Sequence, residues 1–412
     1  MTDTKRLPFP VDSISILFLS LMRKEHTNSF RFSMTLEDPI DPQLLQQAAD
    51  SLWRRMPSMV AGLKPGFFGF RQEQAACPPQ VLPDPGLLRP MSRQEIETCA
   101  FRIYYGENTV SLEIFHVLTD GHGAITALIT LVSEYLQYRL GVRIPEAPGR
   151  LDITQNPDPQ ETEDAFLALA DAKPWHLPSR FSYLPPRPAD TDWNTRCSSL
   201  TLDSSRLREA AHAHGVTVNS LLSAVLASSV MELQLRETGK SRKPVRIMIP
   251  ANLRPFFGSR TLRNFSLYAL PSMEPGEEKL SLTELCQSFQ RQIKSHFSRE
   301  TLASMSSYNV RTQNAWFFRI LPWKWKAALM RLGYRFFGES NSSLTLTNLG
   351  LIRLPEELAP HVRDLQLYMT PRAGVPYGCT VLSFGDKLTL NLSKFTDDTQ
   401  LEELFFGTLK NL

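Results

Sequence analysis

One short string in this 412-residue chain combines residue types able to move protons: His116-Val117-Leu118-Thr119-Asp120-Gly121, an HxxxDG pattern. Random placement of the chain's 8 His, 18 Asp and 20 Gly gives about 0.02 such strings, so the pattern asks for a physical reason. An imidazole with an unperturbed pKa of about 6.5 suits proton abstraction near neutrality. Asp120 reads as a structural anion that fixes the loop, because the two side chains need not face each other. Gly121 reads as the residue that lets the chain turn sharply away. A satisfied core histidine at a strand end is the competing reading, and the surrounding elements bear on the choice.

Phe101 to Tyr105 and Thr109 to His116 alternate as two strands around a Gly106-Glu107-Asn108 turn. On the second strand Val110, Leu112, Ile114 and His116 share one face, and Ser111, Glu113 and Phe115 the other. His116 thus ends the aliphatic face where the chain leaves the sheet. A helix is expected from about Ala124 to Tyr138, with Ala127, Leu128, Leu131, Val132 and Leu136 at helical spacing and Gly141 as its stop. Upstream, Phe30 to Leu36 alternates as a strand. Asp41-Pro42 then opens a helix with Leu45, Ala48, Ala49 and Leu52 on its apolar face, closed by Arg54, Arg55 and Pro57.

Residues 144–195 change character: prolines stand at 145, 148, 157, 159, 174, 178, 185, 186 and 188. This marks a linker, with a short helix around Asp164 to Ala172 inside it. The expected division is 1–172, a Pro-rich linker 173–195, and 196–412. The second part restarts as α/β, with strands at Ser198 to Leu202, Val245 to Ile249, Leu344 to Thr347, Leu365 to Tyr368, Cys379 to Phe384 and Leu388 to Leu392. Helices are expected at Ser204 to His214, at Val218 to Leu235 behind Thr217, and at Leu285 to Phe297.

Composition excludes several classes. With 45 basic and 42 acidic residues the net charge is +3, which is no footprint for nucleic acid. The five cysteines, Cys77, Cys99, Cys197, Cys286 and Cys379, form no CxxC pair, which argues against a disulfide framework or a structural zinc and for buried thiols in a reducing cytosol. The apolar run Ile14 to Met22 is about half a bilayer span and is expected to be a buried helix or strand in a soluble, cytoplasmic protein. Phe317 to Phe337 is basic and aromatic. It reads as an amphipathic helix with its basic side in water, or as a peripheral membrane contact or a cover for a lipophilic acceptor. His212 and His214 cannot share one helix face. His122 follows the motif and reads as the start of a helix or as part of the motif's mouth. No phosphate loop or GxSxG elbow occurs.

The HxxxDG string in its strand–loop–helix context, the Asp41…Leu45…Ala48…Leu52…Arg55-x-Pro57 pattern and the Pro-rich middle together resemble the acyltransferases that carry an HHxxxDG motif. That group includes alcohol acetyltransferases, wax ester synthases, plant BAHD acyltransferases, polyketide-associated acyltransferases and nonribosomal peptide condensation domains. The resemblance covers most of the chain. It implies an α/β (α+β) architecture of two chloramphenicol acetyltransferase-like domains, each a mixed β-sheet flanked by helices, with the active-site channel between them.

The motif's second histidine, the catalytic one in that group, matches His116. The first is Phe115 here, which on strand alternation points to the opposite face. The resemblance further implies that Arg254, after the apolar Val245 to Ile249, pairs with Asp120, and that Asn264 stands where the group has a Gly-Asn pair, with Arg263 in place of the glycine. Thr345-Leu346-Thr347-Asn348-Leu349-Gly350 resembles the (S/T)NxG string of alcohol acetyltransferases. Thr347 and Asn348 would contact the oxyanion or the acceptor, or else simply end a strand. The plant subgroup's DFGWG string is absent, and Ser383-Phe384-Gly385-Asp386 reads as a tight turn. The implied activity is acyl transfer from an acyl-CoA co-substrate to a small alcohol or amine acceptor, lipophilic ones included, with no metal and no permanently bound cofactor. A condensation-type enzyme fed by a carrier protein and a non-catalytic member binding an acyl ligand or protein partner are the alternatives.

Overall fold

The computed structural model describes residues 8–23, 26–86, 88–170, 181–186, 193–337 and 339–412. Alternation along Ser29–Leu36 and Thr109–Phe115 builds a five-stranded sheet in the order Val362–Met369, Ser29–Leu36, Thr109–Phe115, Phe101–Tyr105, Val81–Pro83. Phe32 faces Leu112 and Met34 faces Val110 across the central pair, and all four are buried in the first core. The other face is polar: Ser33 and Ser111 share a hydroxyl hydrogen bond at 2.8 Å, and Arg31 and Arg102 both bind the buried carboxylate of Glu113. Period-2 patterning therefore sorts the two faces.

Asp41 caps the helix Pro42–Arg55 by accepting from the N–H groups of Gln43 and Leu44. That helix packs beside the helix Gly121–Leu140, which is buried almost all round and ends at Gly141 in the left-handed region with φ 67°. A helix apolar on every side belongs in a large core.

The second sheet has seven strands, with Leu344–Leu351 parallel to both Val245–Asn252 and Tyr377–Phe384, and Lys387–Lys394 and Arg196–Asp203 beyond. Gly385, with φ 59°, makes the turn at Ser383–Asp386. Val218–Thr238 behind its Thr217 cap is, among the described residues, the one helix long and apolar enough to cross a membrane. Most of it is buried in the second core, against Leu282–His296 and Gln400–Lys410. A smaller sheet joins Pro8–Pro10, Phe70–Gln74 and Ala61–Pro65.

The two large sheets are tied by a strand that crosses over. Val362–Met369 comes late in the chain yet pairs antiparallel with Ser29–Leu36, so a cut at 173–195 does not separate the sheets. The Leu367 carbonyl accepts from Thr380 and Asn391 of the second sheet. Within the expected short helix, Ala165–Leu169 is a 3-10 turn, and residues 171–172 lie outside the described residues. Of the expected linker, 173–180 and 187–192 lie outside them too. Ser182 and Tyr183 are fastened to the second lobe through Ser340 and Pro244.

Candidate active site

The strand carrying the motif ends at Phe115, and His116 is the first residue beyond it. Its N–H donates to the Asn28 carbonyl at 2.8 Å. The half-buried imidazole lies between the rings of Phe18, at 4.6 Å, and Phe30, at 5.0 Å. Phe30 belongs to the face that also carries Phe32 and Met34, so the ring continues the aliphatic side. Phe115 is fully buried in the first core.

Asn264 fixes the ring. Its Nδ2 donates to the carbonyls of His116 at 2.9 Å and Val117 at 3.1 Å, and to the Ser15 hydroxyl at 3.2 Å. The amide is thereby oriented with Oδ1 toward His116 Nδ1, 3.1 Å away. An amide oxygen only accepts, so Nδ1 carries a hydrogen, and the neutral tautomer that fits this contact has its lone pair on Nε2. Among the described residues Nε2 has no hydrogen-bond partner.

Behind the ring, Asp120 works as a four-way acceptor. Its Oδ1 caps the following helix through the N–H groups of His122 and Gly123, and its Oδ2 accepts from Arg254 Nη1 at 2.9 Å and the Phe265 N–H at 2.8 Å. Burial alone would push this carboxyl up. The Arg254 charge, with the hydrogen bonds from Arg254 and Phe265, outweighs burial and holds it below the ordinary carboxylate range. Arg254 is itself buried and spends its remaining donors on Thr261, Arg263 and Asn252.

Gly121 does not supply a sharp turn: it is the first helical residue and its φ is not positive. Its role is clearance, because a Cβ there would stand 3.0 Å from Leu349. Gly123 is tighter, since a methyl would overlap the Thr119 hydroxyl and the Leu262 carbonyl. The helix therefore begins three residues before Ala124, where two glycines obscure its start in the sequence.

A cavity of about 330 Å³ opens on this arrangement, lined by His116, His122 and Thr126 from the first lobe and by Asn252, Ser266, Thr347 and Asn348 from the second. Burial and then the Arg254 charge hold the His122 imidazole below its usual range. Asn348 Oδ1 accepts from the Gly350 N–H at 2.8 Å, which stabilises the turn at Gly350, with φ 70°. Among the described residues its Nδ2 has only a long contact of 3.5 Å with Asn219 Oδ1. A second cavity, of about 380 Å³, is lined in part by Asn28, whose carbonyl accepts the His116 N–H. Burial pushes the Cys379 thiol up, so it is a poor nucleophile. Among the described residues no three His, Cys, Asp or Glu side chains converge as metal ligands do.

Arg263, the departure from the Gly-Asn pattern, is fully buried and lies 3.6 Å from Asp12, whose other oxygen accepts from the Ser15 N–H. This pair anchors the N-terminal segment that carries Ser15 and Phe18. Asp164 sits at its edge, accepting from Ser13. Burial, then repulsion by Asp12, pushes the Asp164 carboxyl up to about 6 although Arg263 opposes the shift. Unfolded Asp titrates at about 3.9. The folded chain therefore binds the extra proton between those values, and stability falls as pH rises through them. Asp164→Asn is expected to remove that decline and to add about 1–2 kcal/mol at pH 7.5, after discounting for partial exposure. Thermal unfolding of both chains from pH 4 to 8 checks this; parallel curves would rule out Asp164 as the cause.

No protein-family model matches the sequence, and no curated protein matches it. Solved structures do match in fold. Polyketide synthase associated protein 5 from Mycobacterium tuberculosis superposes with a TM-score of 0.63 at 14% identity, covering 98% of both chains. TRI3 trichothecene 15-O-acetyltransferase from Fusarium sporotrichioides gives 0.61 at 12% identity, over 98% of this chain and 96% of that one. The starter condensation domain of rhizomide synthetase RzmA, solved as a mutant with C8-CoA and Leu-SNAC, gives 0.63 at 13% identity, over 98% and 94%. The chain thus has the two-lobed, chloramphenicol acetyltransferase-like fold shared by condensation domains and CoA-dependent acyltransferases.

Proposed function

We propose that this protein transfers an acyl group from an acyl-CoA thioester to the hydroxyl or amine of a small, lipophilic acceptor, with His116 as general base. The observation that carries the reading is the Asn264 hydrogen bond to Nδ1, which leaves the Nε2 lone pair beside a cleft lined by both lobes. In this reading Nε2 takes the acceptor's proton as its oxygen or nitrogen attacks the thioester carbon. The C–S bond of the tetrahedral intermediate then breaks, and the same proton passes to the departing thiolate. Thr347 and Asn348 Nδ2 are the donors we assign to the oxyanion or the acceptor. Asp120 and Arg254 touch no reacting atom; they hold the loop.

The fold's association with an acetyltransferase and with condensation domains supports acyl transfer, and the RzmA structure holds C8-CoA. We assign residues 1–172 and 196–412 to the two lobes and 173–195 to the linker, with Val362–Met369 lent to the first sheet, and place the reaction in the cytoplasm.

The test is free-thiol release from acetyl-, octanoyl- and palmitoyl-CoA, with and without a panel of alcohols and amines. Acceptor-dependent release is expected for one acyl length above the others. Equal release with and without acceptor would make the protein a thioesterase. Silence with every CoA donor would direct the assay to carrier-bound thioesters, and silence there as well would remove the catalytic reading.

A further inference from the structure

The basic and aromatic stretch folds as two helices, Trp316–Ile320 and Trp323–Phe337. Its basic side faces water, but so does an apolar stripe. Trp325, Leu329 and Leu332, at i, i+4 and i+7, are 68%, 50% and 56% exposed. Trp316 and Ile320 on the preceding helix are more than half exposed as well. The loop carrying Phe67 and Phe68, also largely exposed, is tied to the same place: the Phe67 carbonyl accepts from the Trp323 N–H at 2.9 Å and the Phe68 carbonyl from Lys326 Nζ at 2.8 Å. Seven large apolar side chains of these two helices and the loop tied to them thus stand in water.

Lys324, Arg331 and Arg335 are exposed and lie about 100° to one side of the apolar stripe at 3.6 residues per turn. Arg319 is exposed next to Ile320. Residues 316–337 contain no Asp or Glu. The described carboxylate beside Trp323 and Trp325 is Glu97, which is paired with Arg93 at 2.7 Å. Arg331 and Arg335 also line the cavity next to Asn28, together with Arg23 and Arg372. Arg372 Nε and Nη1 are buried there and, among the described residues, have no hydrogen-bond partner.

We propose that this face docks on an anionic lipid bilayer. An apolar stripe of Trp, Leu, Ile and Phe flanked by cations is the composition of a helix that lies in the membrane interface. Charge selects this occupant over a second copy of the chain, because a symmetric contact would set the same four cations against one another. The proposal does not depend on the catalytic reading, and it gives the cationic cavity a place at the water–lipid boundary.

The purified 412-residue protein would be sedimented with vesicles of phosphatidylcholine alone and with 30% phosphatidylglycerol, at low and high salt. Binding to the anionic vesicles, weakened by salt, is expected. Lys324→Gln/Arg331→Gln/Arg335→Gln should weaken it about a hundredfold, at roughly fivefold per charge. Trp325→Ala/Leu329→Ser should weaken it at least tenfold while leaving thiol release from soluble substrates unchanged. Wild-type protein that stays in the supernatant with anionic vesicles at low salt overturns the proposal. So does binding that neither variant weakens, or a solution dimer that Trp325→Ala dissolves, which would make the face a protein interface. Docking without any acyl transfer would leave this proposal standing and remove the catalytic one.

Discussion

His116→Ala is expected to fold as the parent does and to transfer acyl groups about a thousandfold more slowly, within the range that a positioned general base contributes. The ring is half-buried, and among the described residues its one side-chain hydrogen bond is to Asn264. Its loss removes contacts with Phe18 and Phe30, which should cost about 1 kcal/mol. The measurement is kcat and KM for the preferred donor–acceptor pair at pH 7.5, beside circular dichroism and thermal unfolding. The deficit should fall on kcat, because the proton moves only in the transition state. A variant retaining a tenth of the parent's kcat would take His116 out of the chemistry.

Asn264→Leu should reach the same step indirectly. Without Oδ1 the imidazole is free to adopt the other tautomer or to rotate, and kcat should drop ten- to a hundredfold with KM nearly unchanged. An aspartate at 264 should not rescue it. Asn264 Nδ2 donates to two backbone carbonyls and lies 3.5 Å from Asp12 Oδ2. A carboxylate would lose those donations and face a buried like charge, so Asn264→Asp should be the less stable of the two variants.

What the sequence made legible was local. Asp41-Pro42 and Thr217 announce their helices because a cap acts over three residues. The strands around residues 30 and 110 announce their faces because alternation is a nearest-neighbour property. The His116 string stands out because its members are contiguous. The partner that sets the histidine's tautomer is 148 residues away, and no local period marks it. The Asp12–Arg263 pair and the crossing of Val362–Met369 into the first sheet are hidden for the same reason: each is a long-range contact whose two ends look ordinary by themselves. The start of the motif helix was obscured differently. Gly121 and Gly123 are poor helix formers, yet packing against Leu349 and Leu262 leaves room for nothing larger at 123 and little at 121. An aspartate just before an apolar-periodic run was the signal that could have moved the helix start to 121.

Asp120→Ala should destabilise the protein by about 3–5 kcal/mol, the cost of leaving one partner of a buried ion pair uncompensated. The substitution strands more than Arg254. It orphans the Phe265 N–H and uncaps the helix at His122 and Gly123, and a lost cap alone costs about 1 kcal/mol. Domain stabilities of about 5–15 kcal/mol leave little margin for such a loss. Arg254→Ala should be comparably damaging, since it also abandons the carbonyls of Thr261 and Arg263. The double variant should be less unstable than the two single losses added, by 2 kcal/mol or more, because each removal is costly chiefly through the partner it strands. Two lobes need not unfold as one, so the quantity to compare is the midpoint of the first denaturant transition. The pH dependence gives an independent reading. The Asp120 carboxyl titrates below its unfolded value, so its stabilisation is present above about pH 3.9 and is lost as pH falls through the folded value. Asp120→Asn, which keeps a capping oxygen, should therefore be less damaging than the alanine and should flatten the acid limb of the stability curve. Strict additivity of the two alanine substitutions, or an acid limb unchanged in Asp120→Asn, would mean that the pair does not fasten the histidine loop to the second lobe.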